Sequence, residues 1–443
     1  MIIIGAYSYF CYSRLLYTIE KAGSYLMIQR PRGTSDFLHM DNPLWAFVES
    51  SASALAHLYG YSRIDTPTFE SADLFVRTIG DSTDIVQKEM YTFEDKGGGL
   101  LTLRAEGTAP VCRAFLEHGL HNRSLPLRLY YLCPVFRYER PQSGRYREHH
   151  QFGVELLGAE GPEADAEVIA LACDLVKKLG LEDIELFVNS IGDPACRSEY
   201  LVLLSEYYQG TIDSLCNDCK DRFTRNPLRL LDCKNEQCSI IASGAPKMVD
   251  NLCVPCESHW QKLLVYLNAA NISYDIDHRL VRGMDYYTRT VFELKPKGSG
   301  SQGTILGGGR YDGLIEQLGG KSTPGIGFGS GLERLVLNLE KTQGDTRGNS
   351  SALVAVLYHG DQCVPYAMEV INLLRAKEIS SVLASSGKSI KAQMRYAASL
   401  NAKTVLIVGE DEVNSRCVSV KDMLEGNQET IKFEDLINHL NAS

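Results

Sequence analysis

Residues 44–58 carry apolar side chains at helical spacing and Gly60 stops the pattern, which predicts a helix followed by the extended stretch YSRIDTPTFE. The runs LRLYYLCPVFRYER and HHQFGVELLG alternate as strands do, and the charged stretch between them, with Pro141 and Gly144, reads as the loop of an antiparallel hairpin. Side chains alternate across a strand, so Gln151, Gly153 and Glu155 share one face while Phe152, Val154 and Leu156 share the other. The oily face suits a helix layer. The polar face, with Arg137 on the neighbouring strand, suits a pocket floor, because buried ionic groups are costly unless each finds a partner.

Residues 162–179 again follow a helical period, and IELFVNSIG reads as a strand. The chain then changes character to helical runs with clustered cysteines, as an inserted module would. After it come the strand candidate RLVRGMDYYTRTVFEL, the segment SQGTILGGGRYDGL, and the glycine run GIGFGSG leading into an apolar-periodic helix. From Ser351 strands and helices alternate: ALVAVLY, CVPYAMEVINLLRAKE, ISSVLAS, SIKAQMRYAASLNA, KTVLIVGE, RCVSVKD and a last helix at FEDLINHL. That order predicts a small α/β domain with a largely parallel sheet, reached through the polar linker KTQGDTRGNSS. The expected fold class is therefore α/β and α+β multidomain. Its parts are an N-terminal extension (1–26), a main domain in two pieces (27–190 and 278–345), an insertion (191–277) and a C-terminal domain (346–443).

Composition changes this picture little. With 44% hydrophobic and 23% charged residues the chain is an ordinary globular protein. Its 45 basic against 55 acidic residues give a formal charge of −10, which counts against nucleic acid as a partner unless positive groups cluster locally. They do cluster. Phe136–Gln151 alone holds four arginines, and residues 381–409 contain no acidic residue while Lys388, Lys391 and Arg395 follow one another at spacings of three and four, as on one helix face. No run is apolar for long enough to cross a bilayer. The tyrosine-interrupted first 26 residues show no cleavable leader, and read as a disordered extension or a start called upstream of Met27. The 13 cysteines then read as reduced thiols of a cytoplasmic protein.

Four charged or polar elements sit at strand ends and loops: LRAEGTAP, the hairpin, LVRGMDYY and GLERL. Planar guanidinium forks suit the phosphates of a nucleotide, and Arg137, Arg282 and Arg334 each lie in apolar context, which sets them apart from ordinary surface arginines. GIGFGSG is not a phosphate-binding P-loop, since no G-K-[ST] ending follows.

The segments RGTSDF, LRAEGTAPVCRAF, FRYERPQSGRYREHHQFGVELLG, LVRGMDYYTRTVFEL, GGGRYDGL and GIGFGSGLERL occur in the order of the signature blocks of the histidyl-tRNA synthetases, class II aminoacyl-tRNA synthetases, and the chain resembles that family from about Met27 to its end. The resemblance implies a six-stranded antiparallel sheet with flanking helices, a helical insertion and a C-terminal α/β anticodon-binding domain, in a homodimer. It implies histidyl-adenylate formation from L-histidine and ATP with Mg²⁺, then transfer to tRNA(His) with release of AMP and diphosphate. By the same resemblance the two-piece main domain is catalytic, and Arg137, Arg282 and Arg334 are the catalytic arginines. Glu106, Thr108, Arg137, Gln151, Glu155, Arg282, Tyr286 and Tyr287 form the histidine site, with Glu155 and Tyr287 on the two imidazole nitrogens. Arg137, Glu139, Arg145, Tyr146 and Arg334 form the ATP site, and Arg140, Gln142, Arg147, Lys388, Lys391 and Arg395 meet tRNA. Two departures stand out: Ala105 replaces a common proline, and Tyr138 replaces the usual motif 2 histidine. A synthetase-like regulatory subunit of histidine biosynthesis is the competing reading, but such proteins tend to lose the ATP-gripping arginines and the last domain, which this chain keeps.

The insertion holds Cys216 and Cys219, Cys233 and Cys238, and Cys253 and Cys256. C-x2-C lets two thiolates share one tetrahedral Zn²⁺, so a structural zinc on Cys216, Cys219, Cys253 and Cys256 is one expectation, with Cys233 and Cys238 as substitutes. Unligated thiols in a helical module are the other.

Overall fold

The computed structural model describes residues 28–38, 43–81, 83–141, 144–299, 303–343, 353–385 and 387–442. The N-terminal extension, most of the linker and Gln142 lie outside them. Two compact units result, the larger built mainly on Trp45–Thr342 and the smaller mainly on Gln343–Ser443.

The strands of the larger unit are β1 (Ser62–Arg63), β2 (Phe69–Ser71), β3 (Thr92–Glu94), β4 (Leu100–Leu103), β5 (Leu127–Phe136), β6 (Glu148–Leu157), β7 (Ile184–Ser190), β8 (Asp275–Ile276), β9 (Thr288–Pro296), β10 (Leu306–Arg310) and β11 (Gly325–Gly331). Its principal sheet runs β1-β5-β6-β11-β10-β9-β7-β8, and β2, β4 and β3 form a small one. The six inner strands pair antiparallel throughout, as expected, while the two-residue β1 and β8 extend each edge in parallel. The β5–β6 hairpin sets Leu129 opposite Glu155 and Cys133 opposite Gln151. GIGFGSG is itself the strand β11, not merely the approach to a helix.

Helix Pro162–Lys178 packs against β9, β10 and β11. It begins with proline in its first turn, carries Glu163 and Asp165 there and Lys177 and Lys178 in its last, matching side-chain charge to the helix dipole at both ends. On the oily face Phe152, Phe292 and Phe328 meet edge to face, with centroids 5.9 Å apart for Phe152–Phe328 and 6.4 Å for Phe292–Phe328. Beneath the sheet lies an ionic cluster that no local motif announced. Arg310 and Asp165 are both fully buried and paired, His259 Nε2 lies 2.8 Å from Asp165, and Thr290 also donates to that carboxylate. Arg310 holds Asp165 ionised against the burial that pushes its carboxyl toward protonation.

The smaller unit comprises β12 (Val354–Tyr358), β13 (Ser381–Leu383), β14 (Thr404–Val408), β15 (Cys417–Asp422) and β16 (Gln428–Lys432), ordered β13-β12-β14-β15-β16. The expectation of a largely parallel sheet needs correcting. β12 pairs in parallel with β13 and β14, but β15 and β16 return as an antiparallel hairpin. The polar run QETIK carries too little apolar signal to announce β16. A second correction concerns Lys388. Ser389 caps helix Ile390–Ser399, so Lys391 and Arg395 share its exposed face while Lys388 lies in the turn before it.

Candidate active site

On the polar face of the principal sheet, glycine does the spacing. Gly153, Gly329 and Gly307 are neighbours across β6, β11 and β10, and Gly327 and Gly309 form the next pair along β11 and β10. A Cβ on Gly329 would sit 2.2 Å from Gln151, one on Gly307 2.4 Å from Arg282, one on Gly327 2.0 Å from Glu155 and one on Gly309 2.9 Å from Tyr287. Bare backbone thus lets four functional side chains lie flat on the sheet. Because Gly309 and Gly327 are register partners, Tyr287 and Glu155 lie side by side over them. Gln151 and Arg282 lie side by side one step away, over Gly329 and Gly307.

Glu155 is fully buried, accepts the Thr108 hydroxyl at 2.7 Å and also accepts the Tyr311 hydroxyl. Burial pushes its carboxyl up to about 8, despite those hydrogen bonds. Glu106 accepts the backbone N–H groups of Thr108 and Ala109, both at 2.7 Å, and so holds the start of helix Thr108–Glu117 as well as lying near Arg137. Tyr286 is buried against Tyr287 and Tyr311, with ring centroids at 4.7 and 5.8 Å, and its hydroxyl is spent on Met284 Sδ at 2.8 Å. That geometry makes it a wall and not a donor.

Above this floor opens a cleft of about 920 Å³ lined by Arg137, Arg282 and Arg334 together, and also by Glu139, Arg145 and Tyr146. Three guanidiniums from distant parts of the chain therefore line one cleft. Arg137 donates through Nε to the Ala105 carbonyl at 2.8 Å, and Ala105 itself is fully buried, where proline's ring is not needed to fill the site. Arg282 pairs with Glu293, which also binds Lys295 at 2.8 Å and the Thr304 hydroxyl at 2.9 Å. Arg334 is braced by the carbonyls of Gly144 and Thr304. His149, unassigned from sequence, also lines the cleft; burial first, and Arg137 and Arg334 next, lower its pKa to about 3, so it is neutral at working pH.

The remaining assignments scatter. Arg147 stacks over Tyr138, 3.8 Å from the ring centroid, and lies outside the cleft lining. Arg140 is exposed near the loop tip. Lys388, Lys391 and Arg395 belong to the smaller unit. Sequence reasoning gave no role to Tyr311, Glu293, His149 or Arg197, whose guanidinium fixes the Tyr287 carbonyl at 2.6 Å. Tyr311, Glu293 and His149 all lie inside the quoted blocks, whereas Arg197 carries no signal beyond charge in apolar context.

The cysteines regroup. Cys216, Cys219, Cys233 and Cys238 form one cluster, and Cys253 and Cys256 join Asp193 and Cys196 in another. The expected set of Cys216, Cys219, Cys253 and Cys256 is therefore wrong. The two C-x2-C pairs sit at the starts of different helices, Asn217–Arg225 and Val254–Ala269, each of which packs its sulfurs against a different neighbour.

Comparison with known proteins adds a frame. The family model described as Histidyl-tRNA synthetase matches residues 33–335, and that described as Anticodon binding domain matches residues 352–443. The chain is 50% identical over 412 residues to a histidine–tRNA ligase of Dehalococcoides mccartyi, covering 93% of this chain and 98% of that one. It is 47% identical over 411 residues to one of Caldanaerobacter subterraneus, covering 93% and 99%. The crystal structure of apo S. aureus histidyl-tRNA synthetase superimposes with a TM-score of 0.77 at 37% identity, covering 93% of this chain and 99% of that one.

Proposed function

The chain belongs to the histidyl-tRNA synthetase family, and from that premise we propose how its own residues charge tRNA with histidine. The observation that carries the reading is the side-by-side placement of Glu155 and Tyr287 next to Gln151 and Arg282, on a floor cleared by glycines of which Gly307 and Gly329, with Arg282, also line the arginine cleft. An imidazole offers two nitrogens across its plane, which Glu155 and Tyr287 hold. Glu106, Thr108 and Gln151 then take the ammonium group, and Tyr286 closes the wall. That leaves the carboxylate directed toward Arg137 and Arg282.

In the first step a carboxylate oxygen of histidine attacks the α-phosphorus of ATP. The new O–P bond forms as the bond to diphosphate breaks, giving histidyl-adenylate. Arg137 and Arg282 hold the α-phosphate and the attacking anion, while Arg334, with Glu139, Arg145 and Tyr146, holds the rest of the nucleotide. Guanidinium stays charged at every working pH, so this neutralisation needs no proton movement. Glu333 keeps one buried carboxylate oxygen without a hydrogen-bond partner at the cleft, a hard-oxygen donor that fits Mg²⁺, while Glu139 is ion-paired with Arg145 at 3.3 Å. When bound, the ion screens the phosphate charge. In the second step the terminal hydroxyl of tRNA(His) attacks the adenylate carbonyl and AMP leaves. Arg140, Gln142 and Arg147 meet the acceptor end, and Lys388, Lys391 and Arg395 the anticodon stem-loop. The protein acts as a homodimer in the cytoplasm, where translation consumes its product. Among the described residues no helix is long and apolar enough to cross a membrane.

Histidine-dependent ATP–pyrophosphate exchange tests the reading. Exchange with histidine and with no other amino acid is expected; histidine binding without exchange would instead mark a histidine sensor.

A further inference from the structure

Among the described residues, the chief chemistry that the proposed mechanism leaves unused is the pair of cysteine clusters. We propose that the chain binds two zinc ions, one on Cys216, Cys219, Cys233 and Cys238, the other on Asp193, Cys196, Cys253 and Cys256.

In each cluster the ligand atoms all lie within 4.8 Å of one another. Sulfurs about 2.3 Å from a central zinc stand roughly 3.8 Å apart at the corners of a tetrahedron. Cys216 Sγ and Cys233 Sγ are 3.8 Å apart. In the second cluster Cys196 Sγ lies 3.5 Å from Asp193 Oδ1, and Cys253 Sγ lies 3.9 Å from both carboxylate oxygens. A carboxylate corner is closer to zinc than a sulfur corner, and the shorter of these separations is the edge it predicts.

The spacing has a structural cause. Asp193, Cys216 and Cys253 are each the residue that caps a helix, and Cys196, Cys219 and Cys256 each follow three positions later in the first turn of the same helix. Cap and third residue face one another, so each helix start presents two ligands. Cys238 occupies the same third position after the cap Asn235. Each cluster therefore joins two helix N-termini, whose dipoles favour thiolate over thiol. The Cys216 amide points at Cys238 Sγ, 3.2 Å away, as a donor to a charged sulfur does. Each thiol releases its proton to solvent as its sulfur binds the metal.

The placement gives both ions a purpose. Cys216 and Cys233 line the cleft wall together with Lys234, so the first zinc shapes the side of the nucleotide site contributed by the insertion. The second clamps helix Pro194–Gln209, whose Arg197 fixes the Tyr287 carbonyl, to helix Val254–Ala269, whose His259 reaches Asp165. It braces the histidine pocket from behind.

Elemental analysis of protein made in zinc-supplemented medium and purified without chelator is expected to find two zinc ions per chain. Cys216→Ser and Cys253→Ser put serine at cap positions, where it caps well, so each variant should fold and retain one. One zinc in the wild type, or a variant that loses both or neither, overturns the two-site assignment. Iron in place of zinc overturns the metal. Should a variant fail to fold, mercurial titration of the folded wild type decides: two zinc ions released as the seven ligand thiols react support the proposal, and thiols reacting without zinc release refute it.

Discussion

Both units are built on a sheet, yet they treat its surface in opposite ways. In the smaller unit β12 and β14 are VAVLY and TVLIV, covered on one face by helix Val364–Ala376 and on the other by helix Ile390–Ser399. Every strand position there is filled by its own side chain, as in sheets buried on both faces. In the larger unit the polar face of β10 and β11 is stripped to glycine, and the side chains lying on it come from elsewhere: Arg282 and Tyr287 from the segment before β9, Gln151 and Glu155 from β6. A filled sheet is a platform, and its partner must be met by an outer surface. A stripped sheet is a pocket, and a single atom added to it counts.

Arg282→Ala should have the largest effect. The residue contacts developing charge, so adenylate formation measured in a single turnover is expected to slow roughly a thousandfold, while the affinity for histidine changes far less. Glu293 would lose one cation but keep Lys295 and Thr304, so the fold should hold. Equal losses in rate and affinity would show Arg282 to be a ground-state contact and the pocket less differentiated than its geometry suggests.

Gly327→Ala tests the stripped surface itself. The new methyl would meet Glu155 Oε2 at 2.0 Å and the Val154 carbonyl at 2.3 Å, and the carbonyl cannot yield without breaking the ladder. Both Glu155 and the β6 backbone must therefore shift, so the displaced carboxylate comes with some loss of thermal stability. A displacement of that size is expected to raise KM for histidine on the order of a hundredfold. Ala355→Gly in the smaller unit removes a methyl from a filled strand, and should lower thermal stability without touching KM for histidine. If both substitutions behaved alike, the contrast between the two sheets would fall.

Glu155→Gln sharpens it through pH. With the carboxyl raised to about 8, the free protein holds a proton there at neutral pH, and stability stored in that neutral form declines as pH rises from the ordinary carboxylate range through 8. Binding adds a second group, an imidazole with an unperturbed pKa of about 6.5. If bound histidine and Glu155 share one proton, binding must release a proton below about 6.5 and take one up above about 8. Affinity should therefore be flat between those limits and fall about tenfold per pH unit outside them. Glutamine abolishes the alkaline limb and the falling stability, leaving the acid limb. An alkaline limb that survives in the variant belongs to some other group.

What could be read from sequence divides along the same line. The β5–β6 hairpin and its faces were legible, because side-chain alternation needs only local order. β11 was harder to see as a strand, since glycine carries no apolar signal; in hindsight its period of two, with Ile326 and Phe328 between bare positions, is the strand signature. The Asp165–Arg310–His259 cluster was invisible because its members meet only through the tertiary fold. For the cysteines, spacing identified which residues pair at a helix start but not which helix starts meet. For Lys388, a spacing of three does not reveal the cap Ser389 that lies between it and the helix.

The smallest effects are expected on the outer face of the filled sheet. Lys391 and Arg395 are exposed on helix Ile390–Ser399, one turn apart. Each can meet phosphate in high dielectric, where one contact contributes modestly and is screened by salt. Lys391→Ala with Arg395→Ala should therefore raise KM for tRNA severalfold and reduce its salt dependence by about 0.7 in log–log slope per lost contact, the value for single-stranded nucleic acid. ATP–pyrophosphate exchange, which needs no tRNA, should be unchanged. Lys388, off the helix, serves as the internal control. If Lys388→Ala alone matched the double substitution, the basic surface would be centred on the turn, and the helix face would be merely solvated charge.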